Sequence, residues 1–476
     1  MQAAEPDSVP LRFTIEVWPE AGTRHHGDGR RFAISGPDPR LGAAARRDYR
    51  LAGSGQQDYL DLFAAIADDF GTRMPRNRQP EPPPGPAQPW RPLLTRNISP
   101  DILYGYGDPA VLRTEENGAA VYYLVVTSND APNAFPILRS HDLEQWQLQG
   151  FVFPEGRWPD WVARGPGTSD CWAPELHRSG DEYLLCFSAR AQDGGLAIAI
   201  ARSAHAEGPY SLPDRPLLRG GKIDPNIFID ADGSIFLLWK EDSNDRWPAL
   251  LAALLNESPA LARSLFDEDA DQRTAALAGA LWPLVRGLEP MERFFALQPL
   301  IEAAVADFTT LRSRLARLER EPSGKAPAEP ILEAMRTPVF AQPLSADGRS
   351  LTGSPRIILV NDLAWEGHLI EGPWLTRHGD RYYLFYSGND FSTADYGIGV
   401  AIASSPLGPF RKMDNPILRS SADWRGPGHP SVALGPEGVP RLFFHAFVPG
   451  RAGYKEFRAL LSCGLAFATG SVEPLG

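Results

Sequence analysis

The sequence predicts an all-β fold, a five-bladed β-propeller, with a small N-terminal α/β extension and an α-helical insertion. Three observations predict it. First, β-rich runs of one type recur: Val121–Val126, Tyr183–Phe187, Ile235–Trp239, Tyr382–Tyr386 and Arg441–His445. Second, a proline-containing motif precedes each: Asp108-Pro109, Ala173-Pro174-Glu175, Asp224-Pro225, Glu371-Gly372-Pro373 and Gly428-His429-Pro430. Third, two of the runs lead into matching small-residue strands, Leu196–Ala201 and Gly397–Ala403. These end alike in Gly208-Pro209-Tyr210 and Gly408-Pro409-Phe410. This is an internal repeat, and repeats of a few tens of residues, each a small antiparallel sheet, build propellers.

The spacing between motifs completes the argument. Counted from 108 to 174, 224, 371 and 429, the intervals are 66, 50, 147 and 58 residues. The long interval holds a stretch of different character, Asn256 to Thr337. Removing its 82 residues returns the interval to 65. That stretch is rich in Ala, Leu, Arg and Glu, and Phe308, Leu311, Leu315 and Leu318 fall on one helical face. About three helices are expected, marked by prolines at 259, 283, 290, 299 and 322. Their apolar faces need a partner: the N-terminal unit, the propeller or another subunit.

Residues 1–95 read as a separate unit. Leu11, Phe13, Ile15 and Val17 alternate with polar residues, as in a half-buried strand, and Arg31–Ile34 suggests a second strand. Gln57–Phe70 reads as a helix with Tyr59, Leu60, Phe63, Ile66, Ala67 and Phe70 on one side. Gln79–Pro92 carries seven prolines in fourteen residues and reads as a spacer. The expected organisation is therefore 1–95 as the extension with its Pro-rich linker, 96–476 as the propeller, and 256–337 as the insertion within it.

Composition narrows the function. The chain has 476 residues, 43% hydrophobic, with 47 Lys plus Arg against 59 Asp plus Glu. A net charge of −12 argues against nucleic acid or an anionic membrane as partner, though not against a neutral sugar. No stretch approaches eighteen uninterrupted apolar residues, so no membrane span is expected. Met1–Pro6 has neither a basic nor an apolar signal region, so the expected location is cytoplasmic. A removed leader would make it periplasmic or secreted. Cys171, Cys186 and Cys463 are too few for a disulfide framework and read as buried thiols.

In a propeller the innermost strands line a shared channel. Asp108, Asp224 and Glu371 stand near the prolines that open three repeats, so the reading places three carboxyls at equivalent positions facing one pocket. Two carboxyls on one pocket are the minimum apparatus for glycoside hydrolysis, and a third can tune the proton affinity of the acid. An isolated Asp-Pro more often marks a turn; three at repeat starts do not fit that reading.

At these residues the sequence resembles glycoside hydrolase family 43. The resemblance lies in Tyr106-Gly107-Asp108-Pro109-Ala110-Val111, Trp172-Ala173-Pro174-Glu175, Ile223-Asp224-Pro225-Asn226, Ile370-Glu371-Gly372-Pro373-Trp374 and Gly426-Pro427-Gly428-His429-Pro430-Ser431. It covers neither 1–95 nor the insertion. It implies a five-bladed propeller enzyme acting on arabinose- or xylose-containing glycans, with Asp108 as general base, Asp224 orienting the acid and adjusting its pKa, and Glu371 as general acid. It further implies that His429 lies beneath the sugar and contacts a hydrated calcium, a candidate structural ion in an enzyme needing no cofactor. Trp172 and Phe135 match pocket aromatics, and Asn129 and Asp130 are candidate hydroxyl-binding groups. Core packing is the ordinary role for such aromatics, and for a lone histidine.

The run Asn361-Asp362-Leu363-Ala364-Trp365-Glu366-Gly367 resembles the exo-acting members. The expected function is an inverting exo-glycosidase, α-L-arabinofuranosidase first and β-xylosidase second. The alternatives are a galactofuranosidase of the same fold and a catalytically silent sugar-binding propeller. A retaining fructosidase resembles a different motif set. The expected partner is an oligosaccharide, and self-association through the insertion or the N-terminal unit is a candidate.

Overall fold

The computed structural model describes residues 11–17, 30–76, 88, 90–129, 131–164, 170–320, 328–468 and 470–475. The chain divides into two compact units: Met1–Glu81 with Ser243–Arg336, and Pro82–Asp242 with Thr337–Gly476.

The first unit joins the N-terminal segment to the helical segment. Strands β1 (Thr14–Val17), β2 (Arg30–Asp38) and β3 (Ala43–Leu51) form an antiparallel sheet. Helix α1 (Gln56–Phe70) starts where the Asp58 carboxylate accepts the Gly55 N–H at 3.1 Å. It ends at Gly71, whose left-handed φ of 63° closes it. Tyr59, Leu60, Phe63, Ile66, Ala67 and Phe70 are its buried face, as the periodicity predicts.

Six helices follow in the later segment, not about three: α2 (Arg246–Glu257), α3 (Leu261–Leu265), α4 (Asp269–Val285), α5 (Pro290–Ala306), α6 (Phe308–Glu319) and α7 (Glu329–Ala334). The helical region also starts ten residues before Asn256. Ser243-Asn244-Asp245 precede α2 as a start signal, although the Asp245 side chain makes no cap hydrogen bond. Pro283 and Pro299 lie inside α4 and α5 and do not end them. Of the partners left open for the helices, the N-terminal segment is bound to them. Arg73 pairs with Asp271 at 2.7 Å, Tyr59 Oη donates to Glu292 at 3.0 Å, and Arg76 N–H donates to Glu302 at 3.0 Å.

The second unit is all-β and holds five antiparallel sheets. Strand β4 (Arg91–Leu94) comes first, and the first sheet takes β5 (Ala110–Glu116) and β6 (Ala119–Val125). After the two-residue β7 (Ser128–Asn129) it continues with β8 (Ala134–Ser140) and β9 (Gln147–Phe153). The second sheet has β10 (Asp170–Ser179), β11 (Glu182–Arg190) and β12 (Leu196–Ser203), with β7 paired to β10. The third has β13 (Lys222–Ile229), β14 (Ile235–Glu241), β15 (Pro338–Pro343) and β16 (Arg356–Val360), the helical segment falling between β14 and β15. The fourth has β17 (Ile370–His378), β18 (Arg381–Gly388), β19 (Gly397–Ala403) and β20 (Arg411–Lys412). The fifth has β21 (Arg425–Leu434), β22 (Pro440–Phe447), β23 (Arg458–Ala468) and β24 (Ser471–Leu475).

The first strands neighbour one another in a closed cycle: β5, β10, β13, β17, β21 and back to β5. Each proline motif opens or lies in a first strand, and each β-rich run forms the second. The repeat seen in the sequence persists in detail. Ile198 bridges Leu218 as Ile398 bridges Leu418, and the Gly208-Pro209 and Gly408-Pro409 bonds are both cis.

Period-two alternation lets each sheet bury both faces. Leu184 and Ile198 pack toward Ile227 and Leu237 of the third sheet, whereas Leu185 and Phe187 join the largest core. Each fully buried side chain of this kind contributes about 1.5–3 kcal/mol. The expected boundary at residue 95 moves, because β4 belongs to this unit. It pairs with β23, with Pro92 opposite Leu461, an edge position that tolerates the missing N–H. Trp90 beside it packs edge-on against Phe444 at 5.3 Å. All three cysteines are buried and free. No single helix among the described residues is long and apolar enough to cross a membrane.

Candidate active site

The residue before each motif proline is left-handed: φ is 53° at Asp108, 44° at Ala173, 53° at Asp224, 56° at Gly372 and 52° at His429. A residue before proline ordinarily stays extended, so four non-glycine residues are strained here, and such strain concentrates at functional sites. The kink breaks the ladder register after Trp172, Ile223, Glu371 and Gly428. It also turns the backbone N–H of the kinked residue toward a neighbouring side chain. Asp108 N–H donates to His445 Nδ1 at 3.1 Å, Ala173 N–H to Thr127 Oγ1 at 2.8 Å, Asp224 N–H to Ser188 Oγ at 3.2 Å, and His429 N–H to Ser387 Oγ at 2.7 Å.

This geometry corrects one expectation. Asp108 and Asp224 occupy equivalent positions, but Glu371 does not; Gly372 holds the left-handed place and Glu371 precedes it. The equivalents of Glu371 are Gly107, Trp172, Ile223 and Gly428. Two of these are glycines for a steric reason. A Cβ on Gly107 would lie 1.8 Å from Arg458 Cζ, and one on Gly428 would lie 1.7 Å from Tyr396 Cε1. Those two side chains use the space to reach the acids.

Asp108 is held by two hydrogen-bond donors, with two histidine rings beside them. Arg458 Nη1 lies 2.9 Å from Oδ1, and Thr127 Oγ1 donates to Oδ2 at 2.6 Å. His429 Nδ1 and His445 Nδ1 stand 3.4 and 3.5 Å from Oδ1. Burial pushes the carboxyl upward, but Arg458 first, with His429 and Thr127, outweighs it and holds the group well below the ordinary Asp value. His445 is fully buried, its ring stacked on Tyr396 at 5.9 Å. Its Nδ1 accepts the Asp108 N–H, so its proton sits on Nε2, and burial keeps it neutral.

Glu371 is shifted the other way. Burial raises it; Lys240 opposes that rise and Asp224 adds to it, with a result of about 7. Tyr396 Oη donates to Oε1 at 2.8 Å, and Lys240 Nζ lies 3.3 Å from Oε2. Asp224 is raised to about 6, first by burial, against Lys240 and with Asp108. Its Oδ2 accepts the Gly372 N–H at 2.8 Å, which ties the second acid to the backbone beside the third.

The structure brings His429 into this group. Its ring packs against Gly372, where a Cβ would stand 3.0 Å from Nδ1, and burial lowers its pKa. Trp172 stands at the position equivalent to Glu371, half-buried, with Nε1 donating to Asn129 Oδ1 at 2.5 Å. Asn129 is buried and that oxygen is engaged. Asp130 lies outside the described residues.

Phe135 is a correction. It has no exposed surface and packs in the core, 5.4 Å from Phe187 and 6.1 Å from Phe153, so it presents no face to a sugar. Its φ of 57° breaks the strand alternation and turns the ring inward. Among the described residues no group of three or more His, Cys, Asp or Glu is arranged to hold a metal ion, and the fixed cation beside Asp108 is Arg458. A calcium here would have to be held by His429 through water.

Sequence reasoning missed Lys240, Tyr396, His445 and Arg458. A signal for two of them was present. Four β-rich runs are followed at once by a polar residue, Thr127, Ser188, Lys240 and Ser387, and the fifth ends in one, His445. These five stand at matching ends of the second strands, each against the residue before the kink.

Comparison with known proteins agrees with this architecture. Residues 100–261 and 331–461 match the model for glycosyl hydrolases family 43, well over half of the chain, and the chain belongs to that family. It is 23% identical over 251 residues to xylosidase/arabinosidase 43A of Humicola insolens, covering 52% of this chain and 58% of the relative. It is 30% identical over 140 residues to a probable arabinan endo-1,5-α-L-arabinosidase A of Aspergillus flavus, covering 26% of this chain and 43% of the relative. The match thus spans little more than half of one curated relative and less than half of the other. Among solved structures, a thermostable family-43 glycoside hydrolase superposes with a TM-score of 0.55 at 25% identity, covering 78% of this chain and 93% of that one.

Proposed function

We propose that the chain is an inverting glycosidase, that its five sheets are the blades of a propeller, and that it releases terminal arabinofuranosyl residues, with xylosyl residues second. One observation carries the reading: two carboxyls in one cluster are driven to opposite protonation states, Asp108 downward and Glu371 up to about 7. Acid and base chemistry at neutral pH needs that separation.

In the proposed reaction Asp108 takes a proton from water as the water oxygen bonds to the anomeric carbon. The bond to the leaving oxygen breaks and Glu371 gives that oxygen its proton. The products are a sugar of inverted configuration and a shortened glycan. Asp108 ends protonated and Glu371 ionised, and one proton returned through solvent resets the pair. Two donors, Thr127 Oγ1 and Arg458 Nη1, hydrogen-bond the Asp108 carboxylate, which leaves acceptor capacity for water, since such a group has about four lone-pair sites. Trp172 stacks on the sugar.

The exo reading rests on the run Asn361–Gly367. Glu366, fully buried, accepts the N–H groups of Asp362 and Leu363 at 2.7 and 2.9 Å, the Tyr386 hydroxyl at 2.7 Å and Lys412 Nζ at 2.6 Å. That bracing fixes the run, which ends four residues before Glu371 in the chain. No cofactor is required in this reading, and a hydrated calcium at His429 is accessory.

The test is hydrolysis of nitrophenyl α-L-arabinofuranoside, β-D-xyloside and β-D-galactofuranoside, with the product anomer followed by proton NMR. Activity on the first or second with inversion is expected. Retention would overturn the mechanism. Silence on all three, with sugar binding intact, would favour the binding-protein reading.

A further inference from the structure

The five second strands end in one ring of side chains, and one member is chemically unlike the rest. Thr127, Ser188, Ser387 and His445 each accept the backbone N–H of a kinked residue. The fifth place holds Lys240. An ammonium has three donors and no acceptor, so it cannot take the Gly372 N–H. That N–H goes to Asp224 Oδ2 instead, at 2.8 Å. Lys240 has no exposed surface, and its Nζ stands 3.3 Å from Glu371 Oε2. The opposite oxygen, Oε1, takes the Tyr396 hydroxyl at 2.8 Å.

We propose that Lys240 is a positioning residue for proton donation: its ammonium clamps Oε2 of Glu371, so the transferable proton is carried on Oε1. The unprotonated carbonyl oxygen of a carboxylic acid is its better acceptor, so an ammonium on Oε2 favours the proton on Oε1. Tyr396 is compatible with that proton, because a hydroxyl both donates and accepts. The lysine also compensates the negative charge gathered there, which a buried site cannot leave unpaired.

The groups facing Glu371 define how its titration responds. Lys240 comes from β14, Asp224 from β13, Tyr396 from the segment before β19 and His429 from β21. Asp108 and Arg458 act on it at one remove, through Asp224 and His429. Of the charged groups, Lys240 is the one that most strongly favours the ionised acid.

The inference rests on Glu371 as the acid, so the experiment pairs Lys240→Met with Glu371→Gln. On arabino- or xylo-oligosaccharides, Lys240→Met is expected to lose roughly tenfold or more in kcat, part of the 10²–10⁴ that a general acid supplies. On a nitrophenyl glycoside, which needs little protonation, the loss should stay within about threefold. The alkaline limb of kcat/KM should move up by about one pH unit, because the acid has lost its nearest cation. If Lys240→Met does not fold, Lys240→Gln, a neutral donor, is measured for the same limb and the same leaving-group split. An unmoved limb with equal losses on both substrates would overturn the proposal while leaving the acid assignment standing. Full activity of Glu371→Gln on oligosaccharides would overturn both.

Discussion

Arg458 sets a guanidinium nitrogen 2.9 Å from Asp108 Oδ1, across 350 residues of chain. The pair explains why the carboxyl proposed as base can be buried and still ionised. Desolvation alone would raise Asp108, and the adjacent cation reverses the sign. Arg458→Met should therefore raise the Asp108 pKa and move the acid limb of kcat/KM upward, by roughly one to three pH units for loss of so close a partner. A variant whose acid limb stayed in place would show that His429 and Thr127 suffice.

Asp108→Asn and Glu371→Gln should separate by substrate. If Asp108 is the base proposed above, Asp108→Asn cannot activate water and should be inactive on every glycoside. Glu371→Gln should lose roughly 10²–10⁴ on natural oligosaccharides and far less on a nitrophenyl glycoside, whose leaving group departs without a proton. Parallel kcat measurements on both substrates check this. Equal losses for Glu371→Gln would remove it from the acid's role.

The three acids were legible because their prolines repeat, and a repeat can be counted. What the count hid was the one-residue offset of Glu371. A glycine precedes Pro373, and a sequence does not display which residue will be left-handed. Lys240 and Glu371 are 131 residues apart, and Arg458 is farther still from Asp108, so no local pattern joins either pair. Phe135 misled for a related reason. An aromatic residue near a strand start looks the same on either face, and only its φ of 57° decides for the core. The helical segment was legible as helical but not in its start, although Ser243-Asn244-Asp245 mark it in the sequence.

Phe135 gives a stability prediction that also tests this correction. Phe135→Ala removes a fully buried ring between Phe153 and Phe187, which should cost about 3–5 kcal/mol of unfolding free energy. Denaturant melts would measure it. KM of the folded fraction should be unchanged, whereas a direct sugar contact would raise it.

Chelation addresses the calcium reading. A cation already stands in the cluster, since Arg458 is paired with Asp108 and its charge acts on His429. EDTA treatment followed by gel filtration should leave kcat and melting temperature unchanged. A loss of either, restored by calcium, would place a hydrated ion at His429.

Asp224 offers the sharpest test of the electrostatics, because its effect on Glu371 has a defined sign. Its negative charge raises the acid, and so helps Glu371 keep its proton up to about 7. Asp224→Asn removes that charge but keeps a carbonyl oxygen for the Gly372 N–H that Oδ2 now accepts. The Glu371 pKa should then fall. An acid is active only while protonated, so the alkaline limb should move to lower pH and activity at neutral pH should drop. The oligosaccharide rate should drop more than the nitrophenyl rate. Asp224→Asn and Lys240→Met thus push the same limb in opposite directions, which a general loss of packing would not do. Measuring both pH profiles in one buffer series decides it: limbs moving the same way would show that the shift arises from local disorder rather than from the two charges.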